Sequence, residues 1–212
     1  MQKIDIAVVD YGMGNLRSVF KAVEHVAIGK SVVVTSDAAV IHAAERVVFP
    51  GQGAMPDCMH ELDARQLRDA IIDAASNKPF LGICIGMQLL FNHSEEGDTL
   101  GLGLLKGEVR RFAASQVLNG EKLKVPHMGW NQVYQTKQHD LWADIDDATR
   151  FYHVHSYYAQ PLDKALVAGE TEYPQRFCSV VAKDNIFATQ FHVEKSAQAG
   201  LQLLRNFVYW KP

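Results

Sequence analysis

The amino-acid sequence predicts an α/β fold with a mostly parallel central sheet flanked by helices, and an antiparallel strand-rich extension. Short apolar runs, typical of strands buried on both faces, alternate with amphipathic helical segments in the first half of the chain. Short links between them favour β-α-β units with helices on both faces of the sheet. In the second half, successive strand-like stretches indicate antiparallel pairing.

Four strands and three helices are predicted in the first half. The predicted strands are Ile4–Val9, Val32–Thr35, Arg46–Phe49 and Phe80–Cys84. Apolar residues recur at helical spacing from Leu16 to Val23, which predicts the first helix. Further helices are predicted over Leu62–Ala75 and Gly86–Phe91.

Short alternating stretches with glycines from Leu100 to about Tyr134 predict antiparallel hairpins or loops. The later predicted strands are Phe151–Ala159, Ala165–Glu170, Phe177–Ala182 and Ile186–Phe191. One apolar face predicts a closing helix over Ala197–Tyr209. No linker, repeat or low-complexity segment is present, so we expect a single domain over residues 1–212.

Composition excludes several classes of protein. Of the 212 residues, 48% are hydrophobic, which excludes a disordered chain, and the net charge of −3 argues against a general nucleic-acid binder. No apolar run is long enough to span a membrane, and the N-terminus has no features of a secretory signal. Three cysteines without pairing spacing predict free thiols in a reducing cytoplasm, and no CxxC motif or His/Cys cluster predicts zinc.

The segment Gly82–Gly86 places a cysteine between a predicted strand and a predicted helix. Flanking glycines allow a tight, strained turn, and the start of the following helix favours the thiolate of Cys84. The N–H of Ile85 would then face the oxygen of an attacked carbonyl group. A buried structural cysteine is the alternative, and the pentapeptide alone leaves both interpretations open.

His192 has the most informative neighbour among the nine histidines, because Glu194 follows it at i+2. On an extended segment the two side chains point to the same side, so the carboxylate would orient an imidazole that faces the thiol. Gly51–Gly53 ends another predicted strand and would add oxyanion donors. A surface His-x-Glu pair is the alternative for His192 and Glu194, and a plain turn is the alternative for Gly51–Gly53. Both segments follow predicted strands, and ligands bind at the carboxyl ends of parallel strands, so we favour a single site.

The sequence lacks the motifs of two common cofactor sites. Gly12-x-Gly14 follows a strand, but Arg17 occupies the third glycine position of the dinucleotide fingerprint. The phosphate-binding loop motif Gly-x-x-x-x-Gly-Lys-Ser/Thr is absent as well. We therefore expect no NAD, no ATP and no other cofactor.

The residues Gly82–Leu90, together with Gln190–Ser196, resemble class I (triad-type) glutamine amidotransferases. The segments Pro126–Asn131 and Val154–Tyr158, and the turn Tyr11–Asn15, are similar to the glutaminase subunits of imidazole glycerol phosphate synthases, enzymes of histidine biosynthesis. The similarity runs in order through essentially the whole chain. It implies a class I glutamine amidotransferase-like fold and hydrolysis of L-glutamine to glutamate and ammonia through a cysteine thioester.

The resemblance also implies roles for individual residues. Cys84 matches the nucleophile, His192 the acid/base and Glu194 the group that orients the imidazole. The oxyanion-hole positions are Gly51, Gln52, Gly53 and Ile85. The substrate-binding positions are Gly53, Gln88, Glu96, His155, Ser156 and Tyr157. No metal is implied.

A partner follows from the same resemblance. A separate cyclase subunit, a (β/α)₈ barrel, would form a heterodimer with this chain and use the ammonia to make imidazole glycerol phosphate and an aminoimidazole carboxamide ribotide. The positions near that partner are Asn15, Met128, Trp130, Tyr152 and Lys195. Trp130 fits an exposed aromatic anchor, and the alternative is a tryptophan buried in a hairpin core.

The residue chemistry agrees with a glutamine pocket. Glu96 would hold the α-ammonium group, and donors around Ser156 and Tyr157 would hold the α-carboxylate. Gln88 lies one helical turn after Cys84 and on its side of the predicted helix. The alternative for Glu96 is a solvated acidic loop.

Three residues depart from the family's usual pattern. Val193 stands in place of proline, Gln52 in place of valine, and His153 in place of an aromatic residue. Valine favours extended backbone, so we expect the triad geometry to survive. With Gln52 in place of valine, the sequence does not predict the resting conformation of the loop that contains it. Two other functions remain as alternatives, a free-standing cysteine hydrolase acting on another amide such as a γ-glutamyl bond, and a silent subunit that only docks on the barrel.

Overall fold

A mixed sheet lies at the centre of the protein, with helices on both faces. The computed structural model describes residues 3–113, 117, 118, 121, 122 and 124–212. The strands of the first half are Ile6–Val9 (β1), Val32–Thr35 (β2), Arg46–Phe49 (β3), Phe80–Ile83 (β4), Phe91–Ser94 (β5), Thr99–Leu100 (β6) and Leu105–Arg111 (β7). The strands of the second half are Val117–Leu118 (β8), Glu121–Lys122 (β9), His127–Gln135 (β10), Thr149–His155 (β11), Tyr157–Pro161 (β12), Val167–Glu172 (β13), Arg176–Lys183 (β14) and Ile186–Thr189 (β15).

The helices pack against this sheet. The α-helices are Leu16–Val26 (α1), Ala38–Ala43 (α2), Met55–Ala64 (α3), Arg68–Asn77 (α4), Ile85–Gln88 (α5) and Ala197–Tyr209 (α6). Short 3₁₀ helices are formed by Glu96–Asp98, Asp140–Trp142, Lys164–Leu166 and Val193–Lys195. Within the described residues, no helix combines the length and apolar character that crossing a bilayer requires.

The predicted parallel sheet is confirmed, and it has the strand order β2-β1-β3-β4-β15. The strands β1, β3, β4 and β15 are buried throughout, which explains their continuous apolar sequences. β14 pairs antiparallel with β15, and the sheet continues through antiparallel β12 and β7. β10, β11 and β13 form a further antiparallel part, β6 pairs antiparallel with β5, and β8 and β9 form a separate antiparallel pair.

Alternate side chains of the parallel strands feed two separate cores. Val47 and Phe49 pack with α3 and α4, whereas Val48 packs with α1 and α6. This alternation is what period-two geometry requires of a strand buried on both faces. Helices therefore cover both faces of the sheet, and the loops at the ends of its strands are available for the functional site.

The predicted helix over Leu62–Ala75 is wrong, because two helices share this stretch. α3 already begins at Met55 and ends before Gln66, whose φ of +57° interrupts the helical hydrogen bonds. Arg68 then begins α4 and makes a bidentate pair with Asp63, at 2.7 and 2.8 Å, across the break. Pro56, in the first turn of α3, was the sequence signal for the earlier start.

Other boundaries also differ from the predictions. The strand predicted over Phe151–Ala159 is two strands that separate at Ser156. The helix predicted over Gly86–Phe91 spans only Ile85–Gln88, and Phe91 begins β5. The helix Ala38–Ala43 was not predicted, although its cap, with the Asp37 carboxylate accepting from an N–H at 2.8 Å, is a recognisable start.

The remaining strands agree in part with the predictions. β7 and β10 lie inside the hairpin-like stretch predicted from residue 100 to 134, but β7 also pairs parallel with β5. Residues 114–116, 119, 120 and 123 of that stretch lie outside the described residues. The predicted strand Ala165–Glu170 begins later, at Val167, after a 3₁₀ turn, and Ile186–Phe191 ends at Thr189. The closing helix Ala197–Tyr209 is confirmed.

Candidate active site

Three site segments follow the carboxyl ends of neighbouring parallel strands. Gly51–Gly53 follows β3, Cys84 follows β4, and Gln190–Glu194 follows β15. Loops at this edge of an open parallel sheet are where ligands bind. The fold therefore brings together segments that are more than 100 residues apart in the sequence, as the sulfur of Cys84 and the amide of Gln190, 3.8 Å apart, show directly.

Cys84 occupies a strained turn between β4 and α5. Its φ of +57° and ψ of −112° are outside the ordinary regions for a residue with a side chain, and it is the N-terminal cap of α5. The predicted strand end at Cys84 is therefore one residue too long. The turn is tight enough that a methyl group on Gly86 would overlap the carbonyl oxygen of Phe49. Such a turn places the thiol at the start of α5, exposed to the cavity side of the sheet edge.

His192 and Glu194 make the contact that the sequence predicts, but not on an extended segment. Nδ1 of His192 lies 2.8 Å from Oε1 of Glu194, and only 6% and 2% of the two side chains are exposed. The backbone turns here, because Val193–Lys195 forms a 3₁₀ helix. Val193, which replaces the usual proline, is buried and holds this turn by packing.

Cys84 and Glu194 together control the charge of His192. Burial by itself lowers the pKa of this imidazole, but the neighbouring Cys84, through its charge and a hydrogen bond, and then Glu194 outweigh burial and raise the pKa to about 10. His192 thus carries its proton through the neutral pH range. A protonated imidazole beside the nucleophile is ready to donate to a leaving group.

Replacing Glu194 with glutamine is expected to shift the alkaline limb of the pH–rate profile. His192 is raised towards a pKa of about 10, so its acid form is lost only as the pH rises through that value. Removal of the adjacent carboxylate lowers this pKa, and the limb should move to lower pH by about 1–3 units. The measurement is kcat/KM for ammonia release from glutamine against pH. Glu95→Gln, in an exposed ion pair with Arg110, is the matched control, and an unmoved limb in Glu194→Gln would contradict the assignment.

The glycine-flanked segment after β3 lies against the cysteine turn. A methyl group on Gly51 would overlap the Tyr11 hydroxyl and the side chain of Ile85, so only glycine allows this approach. The carbonyl oxygen of Gln52 accepts a hydrogen bond from Sγ of Cys58 at 3.8 Å. Because the C=O and N–H of a trans peptide point in opposite directions, the N–H of Gly53 points away from Cys58.

A cavity of about 370 Å³ opens beside Cys84 and His192. Its wall contains all six residues predicted to bind substrate, namely Gly53, Gln88, Glu96, His155, Ser156 and Tyr157. Gln52 and Ile85 of the predicted oxyanion hole line it as well, whereas Gly51 and Glu194 lie behind this wall and line a smaller adjacent cleft. The structure therefore gathers the predicted pocket around the thiol.

Glu96 is a half-buried wall residue and not part of a fully solvated loop. Its Oε2 accepts a hydrogen bond from the N–H of Met55 at 2.8 Å, which fixes the carboxylate. Burial raises the pKa of Glu96, although the bond from Met55 acts in the opposite direction. A cationic group that enters the cavity would stabilise the carboxylate and offset the cost of its burial.

Gln190 is a site residue that sequence reasoning missed. Its Nε2 donates to Sγ of Cys84 at 3.8 Å, and its Oε1 accepts from Nε2 of Gln88 at 2.9 Å. Nε2 of Gln88 also donates to the carbonyl of Tyr157 at 3.1 Å. Both glutamines are buried, so they link the nucleophile to the cavity wall. Its position in the sequence, directly before Phe191 and the predicted acid/base His192, was the signal that could have identified Gln190 as a site residue.

The residues predicted at a partner interface lie at the surface or at the cavity rim. Met128 and Trp130 are exposed on β10, at 62% and 47%, which contradicts the buried alternative for Trp130. The Trp130 ring meets that of Tyr152 edge-on at 6.1 Å across the β10–β11 pair. Asn15 is exposed before α1, and Lys195 lines the cavity.

Comparison with known proteins supports the same kind of active site as the geometry does. The family model for class-I glutamine amidotransferases matches residues 7–210. The chain is 63% identical over 210 residues to the imidazole glycerol phosphate synthase subunit HisH of Aromatoleum aromaticum, covering 98% of this chain and 99% of the relative. It is 64% identical over 209 residues to the subunit of the same name from Dechloromonas aromatica, covering 98% and 97%.

Solved structures share the fold at low sequence identity. A crystal structure of a glutamine amidotransferase superposes with a TM-score of 0.70 at 15% identity, covering 95% of this chain and 96% of the other. The structure of PurLQS from Thermotoga maritima gives a TM-score of 0.69 at 18% identity, covering 97% and 98%. Fold, family match and curated relatives lead to one assignment, and the chain belongs to the class-I glutamine amidotransferase family.

Proposed function

We propose that this chain hydrolyses L-glutamine to glutamate and ammonia and passes the ammonia to a cyclase partner in histidine biosynthesis. The observation that carries the proposal is the arrangement of Cys84, His192 and Glu194 in contact order beside a cavity. The family match and relatives of about 60% identity support the same activity. Residues 1–212 would act as a single domain.

The first half of the reaction uses His192 as an acid. The thiolate of Cys84 attacks the side-chain amide carbon of glutamine, and the carbonyl oxygen becomes an oxyanion that N–H donors at Ile85 and the Gly51–Gly53 segment stabilise. His192 donates its proton to the amide nitrogen as the C–N bond breaks. Ammonia leaves, and a thioester remains on Cys84.

The second half of the reaction uses His192 as a base. The imidazole, now neutral, takes a proton from water as the oxygen attacks the thioester carbon. A second oxyanion forms in the same place, and its collapse breaks the C–S bond. Glutamate leaves, Cys84 is again a thiolate and His192 again carries a proton. Glu194 holds the ring orientation through both steps.

Substrate recognition would come from the two ends of the cavity wall. The carboxylate of Glu96 attracts the α-ammonium group, and donors around Ser156 and Tyr157 hold the α-carboxylate. Gln88 is already fixed by its bonds to Gln190 and Tyr157 and so keeps the pocket shape. These contacts select an α-amino acid with a side-chain amide.

The partner would be the cyclase subunit of imidazole glycerol phosphate synthase, a β/α barrel. Met128 pairs with Val154, a residue of the cavity wall, so the exposed side chains of Met128 and Trp130 form an apolar surface beside the cavity where ammonia would be released. Exposed aromatic side chains are frequent anchors of protein interfaces. The three cysteines are free and buried, which supports a cytoplasmic location for the heterodimer.

Glutaminase assays with and without the cyclase test this function. We expect weak ammonia release by the isolated chain and a marked rise when the cyclase and its nucleotide substrate are added, because a change in the Gly51–Gly53 segment would complete the oxyanion hole only in the complex. Full turnover without a partner would instead favour a free-standing cysteine hydrolase. No turnover under any condition would favour a silent docking subunit.

Trp130→Ala is expected to weaken binding of the cyclase by about 10-fold or more, as truncation of an aromatic anchor does. Isothermal titration calorimetry with the cyclase measures the affinity. Tyr209→Ala is the matched control, since Tyr209 is also exposed, at 53%, but lies against Lys30, before the amino end of β2 and opposite the site. Equal affinities of the two variants would contradict an anchor at Trp130.

A further inference from the structure

Three buried histidines form a cluster in the antiparallel extension. His127 lies on β10 and pairs directly with His155 of β11, while His153 is two residues from His155 and shares its face. All three are at most 6% exposed. One ring nitrogen from each lies within 4.8 Å of the other two. No spacing motif predicts this cluster, because the pairing of two strands creates it.

Two of the three distances between the nitrogens match those of a tetrahedral metal site. Nδ1 of His127 lies 3.2 Å from Nε2 of His155, and Nδ1 of His153 lies 3.3 Å from the same atom. Zinc–nitrogen bonds of about 2.0–2.1 Å in a tetrahedron separate neighbouring ligand atoms by about 3.4 Å. We propose that His127, His153 and His155 bind one divalent transition-metal ion of the zinc type through these nitrogens.

Hydrogen bonding alone does not satisfy this cluster. Nδ1 of His155 lies 2.8 Å from the carbonyl of Tyr157, to which it donates, so Nε2 of His155 has one lone pair. That lone pair accepts from only one of the two nitrogens that face it. A cation that accepts a lone pair from each ring resolves the contacts at Nε2 of His155.

A contact outside the three rings also favours a metal at the cluster. The carbonyl of Tyr157 orients His155 in the way that outer-shell groups orient metal-bound histidines. Coordination through Nδ1 of His127 puts its proton on Nε2, so the Asn131 amide, whose nitrogen lies 3.2 Å from Nε2, must turn its oxygen inward and give up its bonds to the carbonyl of Glu172 and from the N–H of Gln132.

The fourth coordination position would be open to the cavity. His155 lines the cavity beside Cys84 and His192, which gives an ion a route in and leaves room for a water ligand. A metal at this position would tie β10 to β11 at the cavity wall. It would act on the stability of this wall and requires no role in glutamine hydrolysis.

Metal titration of the full chain tests the site. We expect one equivalent of Zn²⁺ to bind and to raise the melting temperature, and Co²⁺ to give the visible absorption bands of a tetrahedral nitrogen site. His153→Phe keeps a ring among Phe177 and Phe191 and is expected to weaken binding by about 100-fold or more. His42→Gln, an exposed histidine on α2, is the matched control and should bind as the parent chain does.

Metal binding by the active-site residues is a competing interpretation, and another variant distinguishes it from the three-histidine site. Cys84 and His192 would also attract zinc, but then binding would disappear in Cys84→Ala and the Co²⁺ spectrum would show a thiolate charge-transfer band. The three-histidine site predicts that Cys84→Ala binds normally without that band. His127→Gln, on the opposite strand, provides a second loss variant if His153→Phe is unstable. Absence of binding by the parent chain, or normal binding by both histidine variants, would overturn the proposal.

Discussion

Replacement of Cys84 with alanine is expected to lower ammonia release from glutamine by about 10⁴-fold or more. The thiol is the atom that forms the thioester, and loss of the nucleophile in a catalytic triad removes nearly all of the chemistry beyond binding and oxyanion stabilisation. The methyl group of alanine fits the space of the thiol, so the fold should remain intact. A coupled assay for glutamate and ammonia measures the rate.

Two controls separate chemistry from structure in this experiment. The complex of Cys84→Ala with the cyclase should still make product when free ammonium is supplied. Cys178→Ala should keep the glutaminase rate, because Cys178 is buried behind the sheet and burial raises its pKa to about 12, which keeps the thiol inert. A Cys84→Ala variant that hydrolyses glutamine at the parent rate would refute the assignment.

Gly86→Ala is expected to destabilise the fold by about 3 kcal/mol, the upper end for overpacking. The added methyl group would overlap the carbonyl oxygen of Phe49, which belongs to the rigid strand β3 and has no free direction in which to move. Glutaminase activity should fall as well, because the displaced helix start carries the cysteine turn. Chemical denaturation curves give the free energy of unfolding.

Gly29→Ala is the comparison for this glycine effect. Gly29 has a φ of +74° but open space around it, so alanine there adds backbone strain of only about 1–2 kcal/mol without a steric overlap. Activity should not change, because Gly29 lies before the amino end of β2. A Gly86→Ala variant as stable as Gly29→Ala would show that the contact with Phe49 is relaxed at little cost.

The parallel half of the fold was predictable because each strand carries its own signal. Val32–Thr35 and Arg46–Phe49 were predicted at their observed bounds, since runs of four residues rich in β-branched side chains between turns are too short for most helices and favour strands. The break at Gln66 was not predictable, because a left-handed glutamine leaves no mark on hydrophobic periodicity. The separation of two strands at Ser156 was not predictable either, because the strand-like sequence pattern continues through it.

The candidate site was predictable as a set of segments but not as a set of contacts. The contact between His192 and Glu194 was anticipated, yet the 3₁₀ turn that makes it depends on packing of Val193 and has no sequence signature. The bond from Gln190 to Cys84 and the three-histidine cluster both arise from pairing between distant strands. Local patterns carry no information on such pairs.

The adjacency of β4 and β15 sets when this protein can become active during its synthesis. Cys84 donates its N–H to the carbonyl of Thr189 at 2.7 Å, so the nucleophile's turn is anchored on a strand that is translated 100 residues later. A nascent chain that has left the ribosome through β4 holds a cysteine with neither its base nor its supporting edge.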